Sequence, residues 1–479
     1  MKIPLLLGVI TILLISIYAR MYTLDDYSLN FDEIYAIRAT EANAWDLATG
    51  ARYDPGNPPL YFLTLKVWRW AAGDSDSAAR VLSIVFFVGT FIALYLQCRK
   101  RLSTAATICV LILFAGSGAM YYFSRFARAY SMILFIIVCA FPLIVSAIHE
   151  TKRNWVSIVF ASLLLVAGLY SHYSVYVFFI ELCIVLLWFN YTSKQRLVRV
   201  FFFIGISIFL VSPWIIFFIT NQFRHIHSGY RYDFFQLESN WVGFEGWLST
   251  FTNSGFPAII PKQFSQSVGT VFVLLMDIVI VLHINRHLFD PWKKYILSFF
   301  LFSFNILLFT PIHDIFIYQR YSLFVLPFAF MSAGIIIDSV RSHLSKIVIA
   351  SGLLIFSIVS FPWYRHGPTE DWKGIASAVS AQSEGIILFN PCSYEFAFSY
   401  YYKGLASMYC LYKNPTKHNL NTWNGSLSNT VYVVRELFPT NKEEGKIVDK
   451  IVDALRLSYE KLAFRFGSLE LLVFQKKLY

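Results

Sequence analysis

Long apolar runs separated by short polar segments make up most of this chain. A helix that crosses a bilayer needs about 20 mostly apolar residues. By that criterion the pattern predicts about eleven spans, at residues 3–20, 79–97, 104–122, 131–148, 155–170, 173–190, 198–219, 268–284, 295–311, 321–338 and 345–362. The first run is followed by no small-residue cleavage site, so we interpret it as a span and not as a signal peptide. The pattern predicts a polytopic α-helical membrane protein.

Two regions depart from this pattern. The segment 59–71, "PLYFLTLKVWRWA", is too short to span and carries Lys66 and Arg69, which is typical of an amphipathic helix in the membrane interface. After residue 363, strand-like runs "GIILFN", "TVYVVRE" and "LELLVF" alternate with segments at helical spacing. We therefore predict a membrane domain over 1–363, whose outer loop 21–78 holds interfacial helices, and a small α/β domain over 364–479.

The basic residues between the spans predict the orientation. The clusters "CRKRLS", "ETKRNW", "SKQRLVR", "INRHLFDPWKK" and "RSHLSK" all fall on one side of the predicted spans. Because basic loops stay in the cytoplasm, this side and the N-terminus are expected to be cytoplasmic. An odd number of spans then places the C-terminal domain outside, in the periplasm or the extracellular space. The predicted location is the plasma membrane, which is the inner membrane of a bacterium with two.

Composition agrees with a protein built for lipid. The chain is 57% hydrophobic and 14% charged, whereas soluble domains carry about 25% charged residues. Its net charge of +11 does not indicate a nucleic-acid partner, because the cations lie in the short loops between spans. Cys392 and Cys410 lie in the polar tail, where they can pair if the tail faces an oxidising compartment.

Candidate chemical groups gather in the loops predicted to face outward. Asp32 and Glu33 are adjacent, soon after the first span. The other outer loops contain "YYFSRFARAY", "YSHYS" and "PIHDIFIYQRY", which supply Arg125, Arg128, His172, Arg320 and several tyrosines. Guanidinium groups match phosphate oxygens bidentately, aromatic rings suit the C–H faces of sugars, and a carboxylate can take a proton from an attacking hydroxyl. Together these groups indicate sugar transfer from a lipid phosphate.

Each group also has a structural interpretation. Asp32 can cap a loop helix, the arginines can anchor to lipid headgroups, and His172 can be an interfacial histidine whose hydrogen bonds are satisfied. The convergence of all of them on one membrane face favours the chemical interpretation.

The ordered motifs resemble one superfamily of membrane enzymes. These motifs are the Asp-Glu pair, "PPLY" at residues 58–61, "GDSDSAARVLS", "SRFARAYSM", "YSHYSVY" and "QRYSLFVLP". The chain resembles the GT-C glycosyltransferases of the protein O-mannosyltransferase and lipid A aminoarabinose transferase type over nearly its whole length. The resemblance implies a GT-C fold and a sugar donor attached to polyprenyl phosphate.

The resemblance also implies roles for individual residues. Asp32 would be the catalytic base and Glu33 would support it. Arg320, Arg128 and Arg125 would bind the donor phosphate. The substrate cavity would include the residues His172, Tyr173, Asn57, Tyr61 and Tyr318. Relatives often have a histidine where this chain has Asn57. Many also have a carboxylate where it has Phe126, and this departure removes a possible metal ligand, so we expect no metal and no other cofactor.

The predicted activity is an inverting glycosyltransferase of the outer membrane face. Its partners would be a polyprenyl-phosphate-linked sugar, a glycan, lipid or protein acceptor, and membrane lipid. An envelope glycan or lipid of the lipopolysaccharide or O-antigen type is the expected acceptor. Two alternatives are a transporter or flippase of lipid-linked glycans, and a ligase or polymerase that joins whole glycans. A transporter usually holds its ionisable residues near the bilayer midplane, where this chain has few acids (Glu181 and Asp277).

Overall fold

The structure is a computed structural model that describes most of the chain. The described residues are 3–49, 57–149, 155–222, 290–309, 323–340, 370–380, 385–410, 430–436, 459–466 and 468–476, with shorter stretches within 342–352 and 449–456. The chain divides into two compact units. The first, here called the membrane unit, comprises Met1–Tyr22 and Ala39–Arg365, and the second, the C-terminal unit, comprises Thr23–Arg38 and His366–Tyr479.

Helices form nearly all of the described membrane unit. They are α1 (Ile3–Met21), α3 (Ala44–Thr49), α4 (Leu60–Ala72), α5 (Asp76–Cys98), α6 (Thr104–Gly116), α7 (Gly118–Phe123), α8 (Tyr130–His149), α9 (Trp155–Leu169), α10 (Ser174–Asn190), α11 (Lys194–Phe217), α12 (Pro291–Phe309) and α13 (Leu326–Ser339). Helix α2 (Phe31–Ala39) begins in the C-terminal unit. Serines start three of these helices: the side chains of Ser75, Ser103 and Ser117 each accept a hydrogen bond from the amide three residues on.

Three described helices are long and apolar enough to cross a membrane, judged by length and composition. They cover Asp76–Cys98, Tyr130–His149 and Lys194–Thr220. Shorter apolar helices cover Leu6–Met21, Thr104–Gly116, Trp155–Leu169, Ser174–Asn190 and Leu323–Ser339. The predicted span 268–284 lies outside the described residues, as does most of 345–362. The predicted total of eleven spans therefore stays a prediction.

The interior of the membrane unit is closely packed. Helix α8 packs against both α5 and α9, and α13 packs against α6. Where α13 packs against α6, Gly334 of α13 lies against Val110 and Leu102, so that an added Cβ would overlap the Val110 side chain. Both neighbours are buried. The close approach of these two helices therefore depends on a residue without a side chain.

The predicted interfacial helix is α4, and its two cations are engaged within the membrane unit. Lys66 donates to the backbone oxygens of Thr40 and Ala42 at 2.7 and 2.9 Å. Arg69 forms an ion pair of 2.9 Å with Asp74. Trp70 remains 88% exposed. The cations of α4 are thus bound by the protein itself, whereas the indole of Trp70 is exposed. Because tryptophan is enriched at membrane interfaces, this exposure favours an interfacial position for the helix.

The C-terminal unit contains a mixed sheet. Its described strands are β1 (Ile386–Asn390), β2 (Ser407–Cys410), β3 (Thr430–Glu436), β4 (Tyr459–Phe466) and β5 (Leu469–Lys476). The order is β2-β1-β3-β5-β4, with β1 parallel to β2 and β3, and β5 antiparallel to β3 and β4. Helices α14 (Trp372–Ser380) and α15 (Tyr394–Tyr401) belong to the same unit. The buried core of the sheet includes the residues Leu388, Val431, Val433, Leu472 and Phe474.

The unit boundaries differ from the predicted domains in one respect. The predicted membrane domain included the whole outer loop 21–78, whereas Thr23–Arg38 groups with the C-terminal unit, which resumes at His366. The physical reason is a set of contacts with α14 and α15. Phe31 and Tyr35 place their rings 6.1 and 5.7 Å from that of Phe396. The segment that carries Asp32 is thus packed as part of the C-terminal unit.

The contact at Gly334 predicts a selective loss of stability. Gly334→Leu forces a side chain into the space held by Val110, and overpacking of this kind costs about 1–3 kcal/mol. Thermal unfolding in detergent should therefore occur at a clearly lower temperature. Gly205→Leu on α11 is the control, because no atom lies within 4 Å of its added Cβ. Equal unfolding temperatures for the two variants would contradict the packing described here.

Candidate functional site

A short loop between α7 and α8, here called the arginine loop (residues 124–129), carries two of the predicted phosphate ligands. Arg125 donates from Nη1 to the Tyr121 hydroxyl at 2.6 Å and from Nη2 to the Tyr22 backbone oxygen at 3.2 Å. Arg128 is buried, with 9% of its surface exposed. These two acceptors of Arg125 are neutral, so these contacts do not cancel its positive charge.

Arg20, near the C-terminal end of α1, forms hydrogen bonds that help to fix the arginine loop. Its side chain is fully buried. Nε donates to the Ser124 hydroxyl at 2.7 Å, Nη2 to the Ala115 carbonyl at 3.1 Å and Nη1 to the Ser16 carbonyl at 3.2 Å. The guanidinium also lies 3.7 Å from the centre of the Phe87 ring, a cation–π arrangement. Sequence reasoning did not select Arg20.

The charge on Arg20 adds a positive contribution to the electrostatic potential around the arginine loop. In the described part of the chain every hydrogen-bond acceptor of Arg20 is neutral. A buried cation that is not neutralised is costly, and its field extends through apolar surroundings that screen it poorly. The contribution of Arg20 to the local field therefore favours an anion beside this loop.

Two further serines fix the backbone of the loop. Ser83 on α5 donates to the Phe126 carbonyl at 2.6 Å. Ser131 on α8 donates to the carbonyl of Phe123, the last residue of α7, at 3.2 Å. All of these bonds are buried. The arginine loop and the residue before it are thus tied to α1, α5 and α8, which fixes the backbone that carries Arg125 and Arg128.

The "YSHYS" motif meets the end of the arginine loop. His172 is buried, and its ring packs edge to face on Tyr130 with centroids 5.5 Å apart. Its Nδ1 accepts from the Ser174 amide at 3.1 Å. Because Nδ1 is an acceptor, the neutral ring carries its proton on Nε2. The structure therefore brings His172 and the arginine loop together through Tyr130.

The "PPLY" motif joins the same region from another side. The Leu60 amide, at the start of α4, donates to the Tyr170 carbonyl at 2.8 Å. Tyr61 is buried, and Asn57 is half-buried. Tyr173 packs against Tyr176 and Phe218, with ring centroids 5.9 and 5.3 Å apart. Three motifs that are distant in sequence thus adjoin one another in the membrane unit.

Asp32 and Glu33 have different surroundings in the C-terminal unit. Asn30 accepts from the Glu33 amide at 3.0 Å, and the Glu33 carboxylate accepts from the Asn30 amide at 3.1 Å. This reciprocal pair is a capping box at the start of α2. Glu33 is 1% exposed, whereas Asp32 is half-buried. Of the two carboxylates, Glu33 fastens the helix end and Asp32 is the more accessible.

Two predicted site residues lie outside the described residues. Arg320 and Tyr318 fall within 310–322, so their roles stay predictions. Within the described ranges no group of three or more His, Cys, Asp or Glu side chains is placed to hold a metal ion. The expectation that no metal is needed also stays a prediction.

Comparison with known proteins supplies the fold. The chain matches no protein-family model and no curated protein sequence. Its structure is similar to that of ArnT from Cupriavidus metallidurans bound to undecaprenyl phosphate, with a TM-score of 0.63, 11% identity and coverage of 97% of each chain. It is also similar to the oligosaccharyltransferase AglB from Archaeoglobus fulgidus in complex with an inhibitory peptide and a dolichol-phosphate. That match has a TM-score of 0.56 and 9% identity, and it covers 99% of this chain and 74% of the other.

Both of these neighbours belong to the GT-C superfamily. The chain therefore has the GT-C fold, that of a helical membrane protein with a C-terminal domain, as its motifs predicted.

The Arg20 contacts predict a measurable coupling. Replacing Arg20 by Met removes the donors to Ser124, and hydrogen bonds of a charged group are worth about 1.5–3 kcal/mol each. In a double-mutant cycle, Arg20→Met and Ser124→Ala should show a coupling energy of about 0.5–3 kcal/mol in detergent unfolding. Pairing Arg20→Met with Ser75→Ala provides the control and should be additive. Additivity at Ser124 would show that Arg20 does not hold the loop.

Proposed function

We propose that this protein is an integral-membrane glycosyltransferase that moves a sugar from a polyprenyl-phosphate donor to an envelope glycan or lipid acceptor. The observation that carries the proposal is the arginine loop, which buried hydrogen bonds from Arg20 and Ser83 fix within a bundle that has the GT-C fold. A similar structure is that of ArnT bound to undecaprenyl phosphate, and that of AglB contains dolichol-phosphate. Both of those ligands are polyprenyl phosphates.

In this proposal the arginines bind the donor phosphate. Arg125 and Arg128 supply guanidinium groups, which pair bidentately with phosphate oxygens. Arg320 is assigned to the same phosphate by the motif resemblance. As the sugar leaves, negative charge grows on the phosphate oxygen that was bonded to it, so fixed cations stabilise the transition state more than the ground state. The field of buried Arg20 adds to this stabilisation.

Asp32 is the proposed base. The acceptor hydroxyl gives its proton to the Asp32 carboxylate while its oxygen forms a bond to the anomeric carbon. The bond between that carbon and the phosphate oxygen breaks, and polyprenyl phosphate leaves with the bonding electron pair. One displacement inverts the anomeric centre. Glu33 supports this step by fixing the start of α2 through the capping box.

The remaining predicted residues are assigned to the substrate cavity. His172 is held by the contacts described above, and the Tyr61 ring lies 5.9 Å from that of Phe62. Aromatic rings are suited to the apolar faces of a sugar or to the start of an isoprenoid chain. Tyr173, Asn57 and Tyr318 complete the proposed cavity. The proposed mechanism uses no metal and no other cofactor.

The proposed location is the plasma membrane, with catalysis on the outer face. The N-terminus would be cytoplasmic and the C-terminal unit periplasmic or extracellular, as the basic loops indicate. Cys392 in the C-terminal unit is disulfide-bonded, whereas the described cysteines of the membrane unit, Cys98, Cys109, Cys139 and Cys183, are free thiols. Because disulfides persist in oxidising compartments, this difference supports an outward-facing C-terminal unit.

The base assignment predicts the behaviour of Asp32→Asn. Loss of a positioned base should lower the turnover number by roughly 10²-fold or more, because the asparagine side chain cannot take the proton from the attacking hydroxyl of the sugar acceptor. The assay uses purified protein, a polyprenyl-phosphate monosugar and a candidate acceptor, and it measures released polyprenyl phosphate. Asp26→Asn is the matched control, since Asp26 lies in the same segment and is exposed. Near-normal transfer by Asp32→Asn would remove Asp32 from the mechanism.

The phosphate assignment predicts the behaviour of Arg128→Lys. A lysine keeps the charge but cannot form two parallel bonds to a phosphate, so kcat/KM for the donor should fall by about tenfold or more. The acceptor KM should change little. Arg99→Lys, at the end of α5 that is predicted to be cytoplasmic, is the control. Translocation of intact donor without release of polyprenyl phosphate would instead indicate a flippase, and consumption of only whole lipid-linked glycans would indicate a ligase.

A further inference from the structure

Glu370 lies at the N-terminus of the helix that carries Asp32. Its carboxylate oxygen Oε2 accepts a hydrogen bond from the Phe31 amide at 2.8 Å. The same oxygen accepts from the Trp372 indole nitrogen at 2.8 Å. Phe31 is the first residue of α2, and its amide is one of the four that a helix leaves without an internal acceptor. Glu370 therefore satisfies a helix-end donor that the capping box does not reach.

The carboxylate of Glu370 is itself held rigidly. Trp372 is fully buried, so the indole that bonds Glu370 has a fixed position. The Glu370 carbonyl accepts from the Ser28 hydroxyl at 2.9 Å, and that hydroxyl accepts from the Trp372 amide at 3.0 Å. Ser28 thus joins the chain just before α2 to both sides of residue 371. These hydrogen bonds join the segment before α2 to residues 370–372, and they leave the Glu370 side chain little freedom to rotate.

Further contacts fix the two ends of the Asp32 segment. Before the helix, the Leu29 amide donates to the Tyr401 hydroxyl at 2.9 Å. Near its end, Arg38 donates to the Ser399 hydroxyl at 3.0 Å and lies 4.5 Å from the centre of the Phe396 ring. Tyr401, Ser399 and Phe396 all belong to α15. The helix is therefore held at its start by residue 370 and along one side by α15.

From these contacts we infer that Glu370 is a positioning residue for the reaction: it fixes the start of α2 and thereby the direction of the Asp32 carboxylate. The inference rests on the proposed function for its chemical meaning. Asp32 is the residue next to Phe31, so a shift of the Phe31 amide moves Asp32 directly. Catalysis by a general base is sensitive to displacements of about 1 Å. The C-terminal unit would then contribute to turnover, beyond any part it has in stability.

Two substitutions separate the roles of shape and charge. Glu370→Gln keeps an amide oxygen that accepts from Phe31 and Trp372, whereas Glu370→Ala removes the acceptor altogether. We expect Glu370→Ala to lower kcat by about tenfold or more while the donor KM stays within about threefold. Glu370→Gln should stay within about threefold of the parent in both constants. This rescue by a conservative variant would not occur if the charge alone mattered.

Hydrogen exchange of the full-length protein supplies a measurement that does not depend on activity. In Glu370→Ala, peptides that cover residues 29–36 should exchange about tenfold faster, because loss of a helix cap raises the population of the frayed state by about this factor. Peptides of β3 and β5 should be unchanged. The control is Asp371→Ala, which removes the acceptor of the Gly374 amide at 2.9 Å and so uncaps α14. It should loosen α14 without lowering kcat.

Three results would decide the inference. Unchanged exchange at residues 29–36 in Glu370→Ala would overturn it, and so would faster exchange with an unaltered kcat. An equal loss of kcat in Asp371→Ala would also overturn it, because the effect would then follow from general weakening of the unit. If the parent protein transfers no sugar, the proposed function fails, and the exchange data alone still decide whether Glu370 fixes the helix.

Discussion

A helix of nine residues carries the proposed base, and its position depends on contacts outside the helix. Isolated helices shorter than about 12–15 residues are marginal in water, so α2 does not hold Asp32 by its own backbone bonds. Asn30, Glu33 and Glu370 accept hydrogen bonds from the amides at its start. On one side of the helix, the rings of Phe31 and Tyr35 pack against Phe396. Because these contacts belong to the C-terminal unit, that unit positions the Asp32 carboxylate.

The same principle applies to the cations of the membrane unit. Buried side chains fix the arginine loop and the residue before it: Arg20 of α1, Ser83 of α5 and Ser131 of α8. Arg20 is fully buried and bonds only neutral acceptors in the described part of the chain. Its charge is stabilised by three donated bonds and an aromatic ring, yet it still contributes a positive field. Rigid cations near apolar helices suit the phosphate of a lipid, whose tail needs apolar contact and whose headgroup needs charge.

The parts of this architecture that follow from local pattern could be predicted. Apolar runs predicted the helices of the membrane unit, and strand-like runs predicted β1, β3 and β5 at the centre of the sheet. The sequence analysis did not identify β2 and β4, which are the two edge strands. Edge strands carry polar residues, as Glu460, Lys461 and Arg465 show in β4, so their hydrophobic pattern is weak. The dipeptide Gly467-Ser468 between β4 and β5 was the available signal for a hairpin.

The motifs of the proposed site are visible in the sequence, whereas most of the contacts that support them are not. Asn30 and Glu33 stand three residues apart, which is the spacing of a capping box, so the role of Glu33 could have been found from sequence. Glu370 could not, since it lies 339 residues along the chain from Phe31, the residue whose amide it accepts. Arg20 stood at the end of an apolar run, where a headgroup contact was the ordinary expectation. Only tertiary packing reveals that it turns inward to Ser124.

The central claim is that sugar passes directly from polyprenyl phosphate to an acceptor hydroxyl in one displacement. The most direct test follows a polyprenyl-phosphate monosugar of known anomeric configuration through a single round of transfer by the purified protein in lipid nanodiscs. Nuclear magnetic resonance of the product sugar reports its configuration, and mass spectrometry counts the released polyprenyl phosphate. The account predicts one polyprenyl phosphate per glycosylated acceptor, with the anomeric configuration inverted. Retention of configuration, or a glycosylated acceptor formed without release of polyprenyl phosphate, would contradict it.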